Sequence, residues 1–305
     1  MNPISVVKPY LVDTWRWSTM PYRAWAHATA RRQGTMPVSI LYYHRVADED
    51  PNPWTISCSD FRKQVDWLEQ KFDVVSLAEA QKRIRSGFND RPTVSITFDD
   101  GYADNTVFAL PLLMKRNIPV TYFVTTKHTL EGTPFAHDVD NGRPLYPNSG
   151  ETLRAMAAAG VEIGGHTRNH PSLADIDDPK ILFDEMITAT QEMEHVIKRP
   201  IRYFAIPYGQ LEHLSPEVFR MAKEHGFSGI CSAYGGWNEV GSDAFHLQRF
   251  HGDPRISCLK NWLTLDPRKR KLWQTPVVEK MIEESGRLAM SPELTGFQAS
   301  TSSHV

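Results

Sequence analysis

Two adjacent carboxylates follow a short apolar run. The stretch TFDDGY, residues 97–102, ends the run 94–98 in Asp99 and Asp100. Neighbouring acids repel each other and are costly to desolvate, but a divalent cation stabilises one as a ligand and relieves the repulsion on the other. Because adjacent residues leaving a strand point in different directions, one acid can bind metal while the other accepts a proton. The pair therefore predicts a metal-assisted hydrolytic centre.

A pair of histidines offers further ligands. In EIGGHTRNH, residues 162–170, His166 and His170 are four residues apart, so on one turn of helix they would share a face and bind the same ion. Histidines at this spacing are also common as surface or core residues, so the pair alone is a weak signal. Two histidines plus one carboxylate with an open fourth position are typical of catalytic zinc, which lowers the pKa of its bound water to about 7.

The elements that must position these residues alternate between strand and helix. Short apolar runs predict strands, at 38–43, 94–98, 119–124 and 161–163. Ser59 is the predicted cap of a helix that carries Phe61, Val65 and Leu68 at helical spacing. This alternation favours parallel strands joined by crossover helices, and six to eight of them predict a closed or nearly closed (β/α) barrel in a single domain. Catalytic groups of such barrels lie at the carboxyl ends of the strands, where Asp99 and Asp100 fall.

Three segments are predicted along the chain. An aromatic and basic extension covers residues 1–36, the barrel covers 37–265, and a helical extension with a tail that is disordered by composition covers 266–305. The first extension interleaves tyrosines and tryptophans with arginines. Two interpretations stay open: it packs around the barrel, or residues 9–32 make peripheral contact with a membrane surface.

Composition limits the classes of binding partner and the cellular compartment that we expect for this protein. The 305 residues carry a formal net charge of −2, which does not favour nucleic acid as a partner. The three cysteines, Cys58, Cys231 and Cys258, are far apart and suggest thiols in a reducing compartment. The first residues lack the pattern of a signal peptide, and no apolar run approaches the length of a membrane span. We therefore expect a cytoplasmic protein, with peripheral membrane contact as the open alternative.

A third stretch, FAIPYG at residues 204–209, completes a family pattern. With TFDDGY and HTRNH it resembles the three motifs of the polysaccharide deacetylases, the NodB-homology domain of carbohydrate esterase family four. The resemblance covers about residues 38–255 and is greatest to the branch that includes poly-N-acetylglucosamine deacetylases. It implies a deformed (β/α) barrel of about seven parallel strands and one divalent ion, most often Zn²⁺, with Co²⁺ or Ni²⁺ as alternatives.

The resemblance also implies roles for individual residues. The metal ligands would be Asp100, His166 and His170, and Asp99 would be the general base. The backbone amide near Tyr208, in the turn that Pro207 begins, would help to hold the oxyanion.

This sequence departs from the family pattern at two positions. Many members carry, at the position of Ala205, an arginine that orients the base; Arg249 and, less directly, Arg202 are the arginines that offer a substitute. The usual carboxyl-terminal histidine acid is also absent. In the related branch the acid comes from a segment like LYYHRV, which places it at His44. A hydrogen-bonded structural histidine is the alternative interpretation of His44.

Removal of N-acetyl groups from the amino sugars of a glycan or a lipid-linked glycan precursor is the activity that the resemblance implies. Two alternatives stay open. The same scaffold could hydrolyse other non-peptide amides or formamides, since a fold does not fix a function. A non-catalytic sugar-binding homologue is the second, although all four core positions are intact. Glycan length and oligomeric state are not predicted.

Overall fold

The structure is a computed structural model that describes residues 9–252 and 255–268. Its strands are β1 Val38–Tyr43, β2 Arg45–Val46, β3 Thr55–Ile56, β4 Asp73–Val74, β5 Thr93–Phe98, β6 Val120–Val124, β7 Glu162–Gly165, β8 Tyr203–Ala205, β9 Gly229–Cys231, β10 His246–Leu247 and β11 Phe250–His251. Its α-helices are α1 Pro9–Ser18, α2 Met20–Gln33, α3 Cys58–Lys71, α4 Leu77–Ser86, α5 Ala109–Lys115, α6 Thr126–Glu131, α7 Ala136–Asp140, α8 Gly150–Ala158, α9 Pro179–Phe183, α10 Ala189–Ile197, α11 Pro216–Glu224 and α12 Ile256–Leu263. Single 3₁₀ turns cover Ala103–Thr106, Leu173–Asp175 and Leu211–His213, and a π-helical turn, Asp184–Thr188, joins α9 to α10.

A parallel sheet forms the centre of the molecule. Its order is β10-β9-β8-β7-β6-β5-β1-β11, with β4 beside the start of β5, and every pairing within it is parallel. All six residues of β1 and all six of β5 are buried. Burial on both faces explains why these strands read as continuous apolar runs in the sequence. A separate two-stranded parallel sheet pairs β2 with β3.

The sheet curls back on itself through one short stretch of chain. Strands β10 and β11 stand at opposite ends of the sheet order, yet only Gln248 and Arg249 separate them in sequence. The stretch 246–251 thus pairs first with β9 and then with β1. Counted as one position, it completes a deformed barrel with β1, β5, β6, β7, β8 and β9. The predicted barrel of about seven parallel strands is therefore confirmed.

The helix after β3 begins slightly earlier than expected. Ser57, and not Ser59, is the N-cap of α3, because its hydroxyl accepts a hydrogen bond from the Asp60 amide. The predicted apolar face is correct, since Phe61, Val65 and Leu68 are all fully buried. A cap is a property of one side chain and one amide, so periodicity alone places it only to within a residue or two.

The extension before β1 packs against the barrel along one face. Trp15 donates its indole N–H to Asp266 at 3.0 Å, and the buried Arg23 donates to the carbonyl and side-chain oxygens of Asn261, in α12, each at 2.7 Å. Trp17 and Trp25 of the extension are exposed. Packing thus accounts for one side of the extension.

Within the described ranges, no helix combines the length and apolar character that crossing a membrane requires. The predicted disordered tail lies outside the described residues, as does the predicted extension 266–305 beyond Arg268. The domain boundaries stay predictions.

Candidate active site

The two acids of the first motif leave β5 in different conformations. The Asp99 amide still donates to the Tyr43 carbonyl of β1, as a strand residue does. Asp100 adopts a left-handed φ of 70°, and Gly101, with φ of 86°, completes the turn. A left-handed non-glycine residue is costly and marks a position that its surroundings hold in place. The turn directs the two carboxylates to different partners.

Asp100 meets the two histidines of the second motif. Its Oδ1 lies 3.4 Å from Nε2 of His166 and 3.3 Å from Nε2 of His170. The three ligand atoms lie within 4.8 Å of one another. Asp100 Oδ1 is buried and has no hydrogen-bond partner among the described residues. A buried, unsatisfied carboxylate oxygen facing two imidazole nitrogens is what a divalent cation would satisfy, so these residues fit a metal ion.

Hydrogen bonding and charge both prepare His166 for this role. Its Nδ1 lies 2.8 Å from the carbonyl oxygen of Ala205. Because a carbonyl only accepts, Nδ1 carries the hydrogen and Nε2 presents its lone pair toward Asp100. Burial alone would lower the pKa of His166, but Asp100 and Asp99 outweigh burial and raise that pKa. The raised pKa reflects an excess of negative charge that a cation would balance.

The two histidines do not lie on a turn of helix, so that part of the sequence interpretation is wrong. They stand in the loop after β7, in which Thr167 and His170 have left-handed φ angles of 65° and 61°. The Thr167 hydroxyl accepts from the His170 amide at 2.9 Å. The Glu185 carboxylate accepts from the amides of Arg168 and Asn169, each at 2.9 Å. A braced loop, and not helical spacing, brings the two rings together.

Asp99 is paired with an arginine from the stretch that closes the barrel. Arg249 donates from Nη1 to Oδ1 at 2.7 Å and from Nη2 to Oδ2 at 2.9 Å. The guanidinium is fully buried and is also held by the Thr97 hydroxyl and the Ser232 carbonyl. Burial alone would raise the pKa of Asp99, but Arg249, together with His166 and His44, outweighs burial, and the pKa lies below its ordinary value. Asp99 is therefore held ionised and in one orientation.

The two arginines that the sequence offered as substitutes lie in different places. Arg249 meets Asp99, whereas Arg202 pairs with Glu162 at 2.6 Å near the surface. Ala205 is buried and contributes its carbonyl to His166. The structure thus puts an arginine on Asp99 from β10–β11 and not from β8.

His44 follows β1 beside this cluster. Its carbonyl oxygen accepts from the Asn105 side chain at 2.7 Å, and its Nδ1 is buried without a hydrogen-bond partner among the described residues. Burial lowers the pKa of His44, while the carboxylates of Asp100 and Asp99 act against that shift. The structural alternative, a histidine satisfied by hydrogen bonds, does not describe its ring. Its role as the acid stays a prediction.

The third motif forms a tight turn after β8. Pro207 is buried, and its carbonyl accepts from the Gly209 amide at 2.6 Å. Tyr208 has a left-handed φ of 61°, and its own amide donates to no described residue. Its ring lies 5.1 Å from that of His170 and is 56% exposed. An N–H without an acceptor among the described residues, in a residue whose ring lies beside His170, is suited to an oxyanion, the role predicted for it.

Sequence reasoning missed the residues that support this site from other elements. Glu185 braces the histidine loop, Asn105 holds the His44 carbonyl, and Trp54 lies against the His44 ring at 5.1 Å. Each contact joins parts of the chain that are far apart or separated by a loop. No local motif marks these residues.

Comparison with known proteins also relates this chain to polysaccharide deacetylases. Residues 87–230 match the family model described as "Polysaccharide deacetylase". The poly-beta-1,6-N-acetyl-D-glucosamine N-deacetylase of Staphylococcus aureus (strain MRSA252) is 26% identical over 204 residues, which are 62% of this chain and 66% of that protein. A Bacillus subtilis (strain 168) relative is 28% identical over 160 residues, 48% of this chain and 51% of the relative. The chain thus spans half to two thirds of the length of these curated relatives.

Solved structures extend the likeness to the whole barrel. IcaB from Ammonifex degensii superposes with a TM-score of 0.63 at 24% identity, covering 75% of this chain and 97% of that chain. The Streptococcus pyogenes deacetylase PplD in complex with acetate also has a TM-score of 0.63, at 19% identity, covering 75% and 99%. At these identities the likeness shows the fold. The family-model match adds the region that carries all three motifs, so residues 87–230 are similar to the polysaccharide deacetylase family in sequence as well as in fold.

Proposed function

We propose that the protein is a metal-dependent hydrolase that removes N-acetyl groups from the amino sugars of a glycan. The observation that carries the proposal is the buried Asp100 Oδ1, unsatisfied and within 3.4 Å of two histidine nitrogens. The adjacent ion pair of Asp99 and Arg249 supplies a fixed base. The family model and the name of the Staphylococcus aureus relative support an N-acetylated glycan as the substrate class.

Zinc is the metal that we propose. Asp100, His166 and His170 would hold the ion, and one carboxylate with two imidazoles is a common ligand set of catalytic zinc. Co²⁺ and Ni²⁺ are the alternatives, because imidazole also suits them. Once bound, the ion would supply Lewis acidity toward the acetamido oxygen and toward water.

The protein's own groups have complementary tasks in this proposal. Asp99, kept ionised by Arg249, accepts the proton of the attacking water. The Tyr208 amide, which has no acceptor among the described residues, donates to the developing oxyanion. His44, which lies beside this cluster, then protonates the departing amine. The products are a free amino sugar and acetate.

The central test measures metal content and acetate release together. The substrate is a short β-1,6-linked N-acetylglucosamine oligosaccharide. We expect Asp100→Ala to lose both zinc and turnover, and Asp99→Asn to keep zinc but lose at least about 10²-fold in kcat. His44→Ala should likewise keep zinc and lose most turnover. A metal-free Asp100→Ala protein with normal acetate release would overturn the proposal, and turnover of simple formamides alone would redirect it to amide hydrolysis.

We also propose that the extension contacts an anionic membrane surface. The exposed side chains of Leu11, Trp17 and Trp25 lie on the same two helices as the exposed Arg31 and Arg32. Aromatic rings beside basic groups suit the interface of a bilayer with anionic lipids.

The extension covers the end of the barrel opposite the active site. A cavity of about 310 Å³ is lined by residues of α2, Trp25 among them, and by Pro37 and Trp237, which lie at the amino end of β1. The catalytic groups follow the other end of β1, about 20 Å away for six strand residues. Contact through the extension would leave the active site facing away from the membrane. In that orientation the favoured substrate is a glycan that extends away from the membrane surface. A sugar attached directly to a lipid headgroup is less favoured.

A further inference from the structure

An exposed tryptophan stands beside the predicted acid. Trp54 is 46% exposed, and its ring centroid lies 5.1 Å from that of His44 and 6.2 Å from that of His251. Tyr42 lies beneath them, 5.5 Å from His44 and 5.1 Å from His251. The four rings form an aromatic cluster at the carboxyl end of β1, and Trp54 is its exposed member.

The backbone around Trp54 is firmly held. The Trp54 amide donates to the Asn52 side-chain oxygen at 3.0 Å, and Asn52 donates from Nδ2 to Asp138 at 3.1 Å. Asp138 is buried and accepts a second hydrogen bond, at 2.8 Å, from the Tyr102 hydroxyl. Tyr102 lies two residues after Asp100 in the chain. The loop that carries Trp54 is therefore tied to the segment that carries the metal ligand.

Contacts with the other described residues give no structural reason for the indole ring of Trp54 to be held at the surface. Its N–H donates to no described residue, and no buried core cluster includes it. A large exposed aromatic side chain on a loop with ordered hydrogen bonds is typical of a binding surface. Tyr208 is exposed in the same way beyond His170. In the order of strands, β1 and β8 stand on either side of β5 and β7, so the two rings flank the candidate metal site.

We propose that Trp54 forms a subsite that stacks on a pyranose ring of the glycan, next to the sugar that loses its acetyl group. The apolar face of a pyranose presents C–H groups, which suit the negative face of an indole ring. The free indole N–H can donate to a ring hydroxyl at the edge of the stack. This inference rests on the proposed deacetylase function and identifies where that function binds the chain of the polysaccharide.

The experiment compares an oligosaccharide with a small acetyl ester that has no sugar. The protein is loaded with zinc, and acetate release is measured from a β-1,6-linked N-acetylglucosamine pentamer and from 4-methylumbelliferyl acetate. We expect Trp54→Ala to raise KM for the pentamer about tenfold, with kcat nearly unchanged. Turnover of the ester should not change. Trp54→Phe should recover part of the loss, since phenylalanine also stacks but has no N–H.

Trp17→Ala is the matched control, because Trp17 is as exposed but lies on α1, away from the active site. It should leave both substrates unaffected. An unchanged pentamer KM in Trp54→Ala would overturn the subsite while leaving the deacetylase function intact. A loss of ester turnover in Trp54→Ala would also overturn it, since it would place Trp54 in the chemistry rather than in sugar binding. Failure of the unaltered protein to release acetate from the pentamer would instead refute the proposed function.

Discussion

At the scale of residues, the pair of Asp99 and Arg249 determines how the proposed base, Asp99, is held. Both carboxylate oxygens are occupied by one guanidinium, and the arginine has no exposed surface. A fork of this kind fixes the direction of the carboxylate, which a single ammonium cannot do. The orientation of the proposed base therefore comes from the stretch that closes the barrel.

We expect Arg249→Lys to lower kcat about 10²-fold while zinc content stays normal, because charge is retained but the two-point contact is lost. Steady-state kinetics with the oligosaccharide and elemental analysis measure the two quantities. Arg202→Lys is the control, since Arg202 pairs with Glu162 at the surface, and it should have little effect. An Arg249→Lys protein with full kcat would show that Asp99 needs no such support.

A double variant tests whether an arginine at the position of Ala205 can take over the contact of Arg249 with Asp99. In many relatives of this family the orienting arginine occupies the position of Ala205. In this chain Arg249 lies over the Phe123 ring, 5.3 Å from its centroid, and Ala205 belongs to the same buried hydrophobic cluster as Phe123. We expect the double variant Ala205→Arg, Arg249→Ala to recover part of the turnover that Arg249→Ala loses. Failure to recover it, in a double variant that folds and binds zinc, would mean that the two strand positions are not equivalent.

Individual residues of the site were predictable to the extent that they lie in local motifs. The structure brings together Asp100, His166 and His170 because their motifs follow strand ends in a parallel barrel, although the two histidines do not share a turn of helix as their spacing had suggested. Trp54 was not predictable, because its position depends on the contact of Asn52 with Asp138, 86 residues away. Contacts of that kind come from tertiary packing and leave no pattern within a sequence window.

At the scale of elements, an irregular helix supports the histidine loop. The π-helical turn Asp184–Thr188 interrupts α9 and α10, and Glu185 in this turn is buried. Its carboxylate accepts three hydrogen bonds from the loop: two from the amides of Arg168 and Asn169 and one, at 2.6 Å, from the Asn169 side chain. Such a wide turn often occurs at functional sites.

Glu185→Ala should weaken zinc binding about 10- to 100-fold, because His170 then lies on an unbraced loop. Titration against a chromophoric zinc chelator gives the affinity, and a thermal melt checks that the protein is folded. Glu192→Gln serves as the control, since Glu192 contacts only the Arg168 side chain of this loop. Equal zinc affinities for Glu185→Ala and the unaltered protein would exclude the bracing role.

At the scale of the whole molecule, the proposed membrane surface and the active site lie at opposite ends of the barrel. The double variant Trp17→Ala, Trp25→Ala should bind vesicles that contain phosphatidylserine about tenfold more weakly than the unaltered protein. Co-sedimentation with these vesicles, and with purely zwitterionic ones, measures the binding. Tyr146→Ala is the control, because Tyr146 is similarly exposed and its carbonyl contacts Ala103, at the catalytic end.

Two outcomes would contradict the proposed membrane contact. One is vesicle binding that does not depend on the two tryptophans. The other is a concentration-dependent dimer that the double variant abolishes, which would assign the same aromatic face to a second copy of the chain.

The stretch 246–251 affects the order in which the protein folds during its synthesis. Its pairing of β11 with β1 joins residues that are about 200 positions apart, as Phe250 and Leu41 are register partners. Contacts this distant in sequence form late, because the long loop between them must first be ordered. During synthesis, the proposed metal ligands would emerge well before Arg249, so a nascent chain would carry these residues before Arg249 can orient the proposed base. Hydrolytic competence should therefore arise only with the final closure of the barrel.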